Sequence, residues 1–179
     1  MTNPNPWPRF FLLTAGLCLL GAAPLAQART YTHTRNDTRT LTGVVTHVTD
    51  GDTLWVRTSV HGEPRKVRFQ GIDAPESCQT WGPQASAALA ARVKFKTVQL
   101  HGRARDDYGR LLATVSLDGQ DVGRWLVLNG HAWSYHYRKN PGPYAAEQQQ
   151  ARAAGRGLWS QPAVEPRVFR KQHGACPHR

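Results

Sequence analysis

The sequence predicts a mainly β fold with some α: a small five-stranded barrel with three packed helices. Short segments rich in β-branched residues alternate with turn signals, and Asp50-Gly51 separates the first two of them. Apolar residues recur at helical spacing after Gly82-Pro83 and again from residue 122. The 179 residues have room for one core of this kind, so we expect a single barrel domain over residues 40–160.

The first three strands are expected between residues 41 and 72. Residues 41–56 alternate in polarity and break at Asp50-Gly51, which is a strong hairpin signal. A third strand is expected over residues 66–72 and is ended by Pro75. Alternation along this strand places Arg68 on the same face as residues 70 and 72.

The second half of the domain is expected to add helices and two more strands. Gly82-Pro83 begins a helix, because proline in a first turn lacks only an N–H that has no helical partner. The remaining elements are strands over residues 97–100 and 111–117, helices over 122–128 and about 144–156, and Trp159 filling the core. Five strands with a helix after the third match the OB-fold, which often binds oligonucleotides.

The two ends of the chain differ in composition from the domain. Arg9, the apolar run 10–23 and the Ala26-x-Ala28 exit indicate a secretory signal peptide over residues 1–28. The run is shorter than the roughly 18 residues of a membrane span. We therefore expect cleavage after about Ala28 and a secreted or periplasmic protein without a membrane anchor. A polar leader (29–39) and a basic tail (161–179) flank the domain.

The chain is strongly basic. Its formal net charge is +11, and removal of residues 1–28 takes away one arginine and no acid, leaving 22 basic and 12 acidic residues. This balance favours polyanionic partners such as DNA, RNA, acidic polysaccharides or anionic membrane surfaces. When charge is considered alone, an ordinary soluble basic surface is the better explanation.

The expected mature chain has two cysteines, Cys78 and Cys176. An even pair in an exported chain suggests a disulfide between the segment after Glu76 and the tail. A zinc site that adds His173 and His178 is an alternative, although these spacings are tighter than usual ligand pairs. Two free thiols are the third possibility.

Two short acidic clusters stand out in this basic chain. Asp52 begins the expected second strand and Asp73 ends the third, so their carboxylates converge if the strands are antiparallel neighbours. Glu76 follows in the next turn. Two aspartates, a backbone carbonyl and water form an all-oxygen set that suits a hard cation such as Ca²⁺. Either cluster alone is better explained as ordinary turn residues, but the two together, at strand ends expected to be adjacent, favour the cation site.

Cations and aromatic residues could complete a nucleic-acid site. Arg68 and Arg110 suit charge on a phosphoryl group, because a guanidinium grips two oxygens in a planar fork. Tyr135 and Tyr137 alternate before Arg138 and offer rings for bases to stack on. Arg110 as a solvated loop cation, and one tyrosine ring as a packing residue, are the ordinary alternatives. The sequence contains no recognisable Ser-His-Asp or Cys-His set.

Three separated segments resemble the thermonuclease (staphylococcal nuclease-like) family. They are Val-Thr-Asp-Gly-Asp-Thr-Leu at 48–54, Val-Arg-Phe-Gln-Gly-Ile-Asp-Ala-Pro-Glu at 67–76 and Asp-Tyr-Gly-Arg-Leu at 107–111. The similarity runs from about Leu41 to Trp159. It implies an OB-fold barrel with three helices. It also implies Ca²⁺-dependent hydrolysis of DNA and RNA with low sequence specificity, leaving 3′-phosphate ends.

The resemblance also implies roles by position. Asp52 and Asp73 would be metal ligands with the Ala74 carbonyl beside them, and Asp50 an acid just outside the ligand set. Glu76 resembles a general base, and Arg68 and Arg110 resemble the pair that stabilises the phosphoryl transition state. The residues expected to hold the nucleotide are Tyr108, Tyr135 and Tyr137. Asp106-Asp107 departs from the family pattern, since a cation is often found beside this tyrosine.

A non-catalytic OB-fold module that binds nucleic acid or acidic polysaccharide is the alternative function. Charge and aromatic residues fit such a module as well as they fit an enzyme. The complete set of three acids and two arginines favours the enzyme, because a pure binding module has no need of it. The sequence indicates no obligate protein partner.

Overall fold

The computed structural model describes residues 40–176 and confirms the mixed β/α class. The expected signal peptide (1–28), the polar leader (29–39) and the last three residues lie outside the described residues. Within residues 40–176, no helix has both the length and the apolar character that a membrane span requires.

Eight strands, four α-helices and one short 3₁₀ helix make up the described chain. The strands are β1 (Thr40–Asp50), β2 (Thr53–Arg57), β3 (Arg65–Phe69), β4 (Ile72–Asp73), β5 (Thr97–Arg105), β6 (Leu111–Leu117), β7 (Gln120–Asp121) and β8 (Trp133–Ser134). The helices are α1 (Gly82–Val93), α2 (Val122–Leu128), α3 (Ala145–Ala153) and α4 (Pro166–His173), and the 3₁₀ helix is Gly157–Ser160.

Five of these strands close into the predicted barrel. β1 pairs with β2 and with β5, β2 with β3, and β5 with β6, all antiparallel. A parallel pairing of β3 with β6 closes the ring. Alternate residues of each strand point into the barrel. β6, for example, buries every second residue along its length, and these buried residues are apolar.

The third strand is shorter than the sequence predicts. β3 ends at Phe69, and Gly71 adopts a φ of +81°, a conformation that favours glycine. The break changes the alternation, so that Ile72 is buried while Gln70 is exposed. The predicted common face of residues 68, 70 and 72 is therefore wrong. β4 leaves the barrel here and pairs with β8.

Other boundaries also differ from the sequence prediction. β5 extends to Arg105, because pairing with β6 continues beyond residue 100, where the predicted strand ends. Leu158, which is 1% exposed, fills the core after α3, whereas Trp159 is half-buried with its ring edge against Trp133. The fourth helix, α4, lies in the segment predicted only as a basic tail.

Candidate active site

The two acidic clusters pack against each other at one end of the barrel. Asp52 ends the β1–β2 turn, and its Oδ2 accepts the backbone N–H of Ala74 at 2.8 Å. A Cβ on Gly51 would lie 2.7 Å from the Cβ of Ala74, so this approach requires glycine. A segment 22 residues further along the chain is thereby brought against the turn.

Arg68 lies between the carboxylates of Asp52 and Asp73. β2–β3 pairing places Arg68 opposite Thr53, next to Asp52. Its Nη1 forms an ion pair with Asp52 Oδ1, and its Nη2 donates to Asp73 Oδ1 at 2.9 Å. Both aspartates are buried, at 2% and 6% exposure, so the guanidinium compensates charges that water does not reach.

Glu76 has a different arginine partner, which the sequence analysis missed. Arg170 in α4 donates from Nη1 to Glu76 Oε1 at 2.5 Å, and its Nη2 lies 3.4 Å from Asp73 Oδ2. Burial disfavours the charged form of Arg170, but hydrogen bonds and charges of Glu76 and Asp73 raise the pKa of its guanidinium. Asp52, Arg68, Asp73, Arg170 and Glu76 thus alternate in sign; we call them the ion-pair chain.

The carboxylates have the chemistry that a hard divalent cation requires. One oxygen of Asp52 and one of Asp73 contact the two terminal nitrogens of the same guanidinium, that of Arg68. The two oxygens are therefore close enough to contact one cationic group together. Across residues 40–176, no three His, Cys, Asp or Glu side chains converge as a metal-binding group. The donor set therefore fits a cation bound by two aspartates and water, with few protein ligands.

Asp50 lies beside this pair and orders the turn. Its Oδ1 accepts the backbone N–H of Asp52 at 3.1 Å. Burial raises the pKa of Asp50, and the nearby charges of Arg68 and Arg110 oppose that rise. Asp50 thus makes no ion pair with Arg68 in the described residues, but it lies close enough for the positive charges of Arg68 and Arg110 to favour its ionised form.

Arg110 is held by its own loop. Its Nε donates to Asp106 Oδ2 at 2.7 Å and its backbone N–H to Asp106 Oδ1 at 2.9 Å. Burial disfavours ionisation of Asp106, but these hydrogen bonds dominate and lower the pKa of its carboxyl. The acid that departs from the family pattern therefore positions Arg110. In the described part of the chain, Arg110 makes no ion pair with the ion-pair chain.

The three tyrosines present their rings to solvent. Tyr108 is 85% exposed, Tyr135 48% and Tyr137 58%. The Arg110 guanidinium lies 5.3 Å from the Tyr108 ring centre. Tyr135 donates its N–H to Gly71 O, directly after the β8 strand that pairs with Asp73. Exposed rings beside cations are available for base stacking.

The segment that carries Arg170 is attached at two points. Cys78 and Cys176 form a disulfide, so the zinc alternative loses both sulfur ligands. Gln79 accepts the backbone N–H of Glu76 and donates to Val164 O at 2.6 Å. The signal for Arg170 in the sequence was the basic helical spacing after Pro166, but its partners lie more than ninety residues away.

Comparisons with known proteins found a matching family model and several relatives. A family model described as staphylococcal nuclease homologue matches residues 66–161. An uncharacterized endonuclease of Haemophilus influenzae is 36% identical over 129 residues, 72% of this chain and 72% of that protein. Protein ParB of Escherichia coli is 37% identical over 144 residues, 74% of this chain and 80% of ParB. A probable staphylococcal-like nuclease of Oryza sativa subsp. japonica, CAN2, is 33% identical over 96 residues, 53% of this chain and 26% of CAN2.

The range matched by the family model covers only part of the site. Arg68, Asp73, Glu76 and Arg110 fall within residues 66–161. Asp52 precedes this range and Arg170 follows it.

Proposed function

The chain belongs to the staphylococcal nuclease homologue family, and on that premise we propose that it hydrolyses phosphodiester bonds of DNA and RNA with Ca²⁺. We further propose low sequence specificity and 3′-phosphate ends. The observation that supports this most is the convergence of two buried carboxylates on Arg68, beside a partly exposed Glu76. A module that only binds nucleic acid gains nothing from burying two acids at such a place.

Glu76 is the proposed general base. Its side chain is 25% exposed, so water can reach it. A water molecule loses a proton to this carboxylate as its oxygen attacks phosphorus. The bond from phosphorus to the 5′ oxygen breaks, and that oxygen takes a proton from solvent. The products are a 3′-phosphate and a 5′-hydroxyl.

The arginines and aspartates act on the charge of the phosphate. Asp52, Asp73 and the Ala74 carbonyl would hold the ion, which when bound supplies positive charge to neutralise phosphate oxygens. Arg68 and Arg110 supply positive charge that stabilises the negative charge developing on the phosphoryl group during attack. Tyr108, Tyr135 and Tyr137 stack on bases and give contacts that do not depend on sequence.

A divalent-ion assay tests the proposal. We expect the mature chain to cut plasmid DNA and RNA with Ca²⁺ and to stop when EDTA is added. Mass spectrometry of the fragments is expected to find 3′-phosphate ends. If neither substrate is cut with Ca²⁺ or another divalent ion, the enzyme is excluded in favour of a binding module.

Two substitutions test the assigned roles. Glu76→Gln and Arg110→Ala should each lower the cleavage rate by about 10²–10³, because each removes one electrostatic contact in the transition state. Arg57→Ala is the matched control, since Arg57 is an exposed arginine at the opposite end of β2 from Asp52. A fully active Glu76→Gln variant would refute the general-base role.

We also propose that the protein is exported, with cleavage after about Ala28. Support comes from the signal-peptide features of residues 1–28 and from the two cysteines beyond them. N-terminal sequencing of the protein recovered from periplasm and medium tests this. A protein that starts at residue 1 in the cytoplasm would contradict it.

A further inference from the structure

Arg170 reaches the site from a helix that is not part of the barrel. Two of the three acids in the ion-pair chain, Glu76 and Asp73, contact its guanidinium. The range matched by the family model ends at residue 161, so α4 lies beyond it.

One face of α4 is turned toward the domain. Pro166 is buried, and Phe169 and His173 line a cavity of about 190 Å³ together with Trp81, Trp133 and Leu158. The Phe169 and His173 rings lie 4.6 Å apart, as expected of positions four residues apart on a helix. This packing, with the disulfide at Cys176, sets the orientation of the helix.

The other face of α4 is basic and exposed. Arg167, Arg170 and Lys171 are spaced three and four residues apart and so share a face. All three are exposed, and the Arg170 side chain is 41% exposed. Within this basic face, Arg170 is the residue that contacts Glu76.

The guanidinium of Arg170 has capacity for a further anion. It carries five N–H donors, and its contacts with Glu76 and Asp73 engage only two of its nitrogens. A half-exposed guanidinium held by carboxylates at one edge can bind phosphate oxygens at the other. The contact to Glu76 also fixes the distance between that phosphate and the proposed general base.

We propose that Arg170 is a third substrate-binding arginine, which holds Glu76 and binds a phosphate of the nucleic-acid backbone. Arg167 and Lys171 continue this contact to neighbouring phosphates. The disulfide between Cys78 and Cys176 keeps α4 in the position that this contact needs. The inference rests on the proposed function, since it adds a residue to the same site.

Binding without cleavage tests Arg170 directly. Anisotropy of a fluorescein-labelled single-stranded DNA, measured in EDTA, reports affinity independently of turnover. We expect Arg170→Ala to bind about tenfold more weakly, because a charge-assisted contact is lost. The plot of log K against log salt should become shallower by about 0.7, as for one phosphate contact on a single strand.

Two variants separate a specific contact from a general loss of charge. Arg170→Lys keeps the charge but loses the fork, so intermediate affinity is expected. Arg57→Ala removes one exposed arginine at the far end of β2 and should change affinity by less than about twofold, because salt screens distant charges. If Arg170→Ala binds as tightly as the unchanged protein, or more tightly, the proposal is overturned.

A double-mutant cycle tests the role of the disulfide. We expect the Cys78→Ser/Cys176→Ser variant to bind more weakly, and Arg170→Ala to cost much less in that background. An undiminished Arg170→Ala effect would overturn the role of the disulfide. Circular dichroism confirms that each variant is folded. If the unchanged protein binds DNA more tightly than Arg170→Ala but cleaves neither DNA nor RNA, only the proposed enzymatic function is refuted.

Discussion

Asp52, Arg68 and Asp73 lie in the β1–β2 turn and in strands β3 and β4, whereas Arg170 reaches Glu76 and Asp73 from the helix α4. In the first group, backbone hydrogen bonds set the positions: Phe69 N–H donates to Asp52 O at 2.9 Å, and β4 pairs with β8. In the second group, a disulfide and side-chain contacts set the position of the helix. The ion-pair chain therefore has two parts. We call Asp52, Arg68 and Asp73 the barrel part, and Arg170 with its partner Glu76 the attached part.

The two parts also differ in burial. Arg68 is 19% exposed and its aspartates less than 10%, while Arg170 is 41% and Glu76 25% exposed. Water screens the attached part more strongly, so its ion pairs contribute less to stability. We therefore expect the ion pairs of the barrel part to contribute more to the free energy of unfolding than those of the attached part.

The largest difference should appear when each arginine is removed. Arg68→Ala leaves the buried Asp52 without its arginine and Asp73 with only the longer contact to Arg170, and it should lower the free energy of unfolding by about 3 kcal/mol. Arg170→Ala should lower it by less than about 1 kcal/mol, as for exposed ion pairs. Urea unfolding of both variants measures this. Equal losses would show that the two parts do not differ in this way.

Removal of the disulfide should have the next largest effect. Cys78 and Cys176 are 98 residues apart, so their bond restricts much of the unfolded chain. The Cys78→Ser/Cys176→Ser variant should lose about 2–4 kcal/mol in guanidinium unfolding. Hydrogen exchange should then rise in α4 before it rises in β2 and β3. Uniform acceleration across barrel and helix would contradict a separately attached part.

The smallest effect concerns His131, near the junction of the two parts. Its Nδ1 accepts the indole N–H of Trp81 at 3.3 Å, which requires a neutral ring, and Trp81 also lines the cavity under α4. Burial lowers the pKa of His131. The unfolded chain, with a histidine pKa of about 6.5, therefore binds the proton more readily.

The stability that neutral His131 provides is present above about pH 6.5 and is lost as the pH falls below it. Melting temperatures of the unchanged protein and of His131→Gln should therefore converge, or their order reverse, between pH 7.5 and 5.5. The substitution keeps an acceptor for Trp81 without a titrating ring. A constant difference in melting temperature over this range would contradict the prediction.

Much of the barrel could be predicted because its signals are local. Asp50-Gly51 marks a hairpin, Gly82-Pro83 a helix start, and alternation marks each strand. The shorter β3 was missed because apolar residues continue as far as Ile72, whereas the chain turns out of the barrel at Gly71. The longer β5 was missed because pairing with β6 extends a polar segment that has no strand pattern of its own.

The site was predictable to a different extent. Asp52, Asp73 and Arg68 could be grouped from strand order, because neighbouring antiparallel strands bring particular ends together. The partner of Arg110 could not, since Asp106 has the spacing of an ordinary loop residue. The contact of Arg170 with Glu76 could not be predicted either, because the sequence of a basic helix does not indicate which distant carboxylate the helix packs against.

The sequence by itself determined the barrel, its acidic turn and the family, because strand alternation, turn residues and short motifs act over a few neighbouring residues. Only the tertiary structure decided that the second arginine on the acids is Arg170 and that Arg110 is held by Asp106. An ion pair between distant segments depends on the packing of everything between them, and that packing exists only in the folded chain.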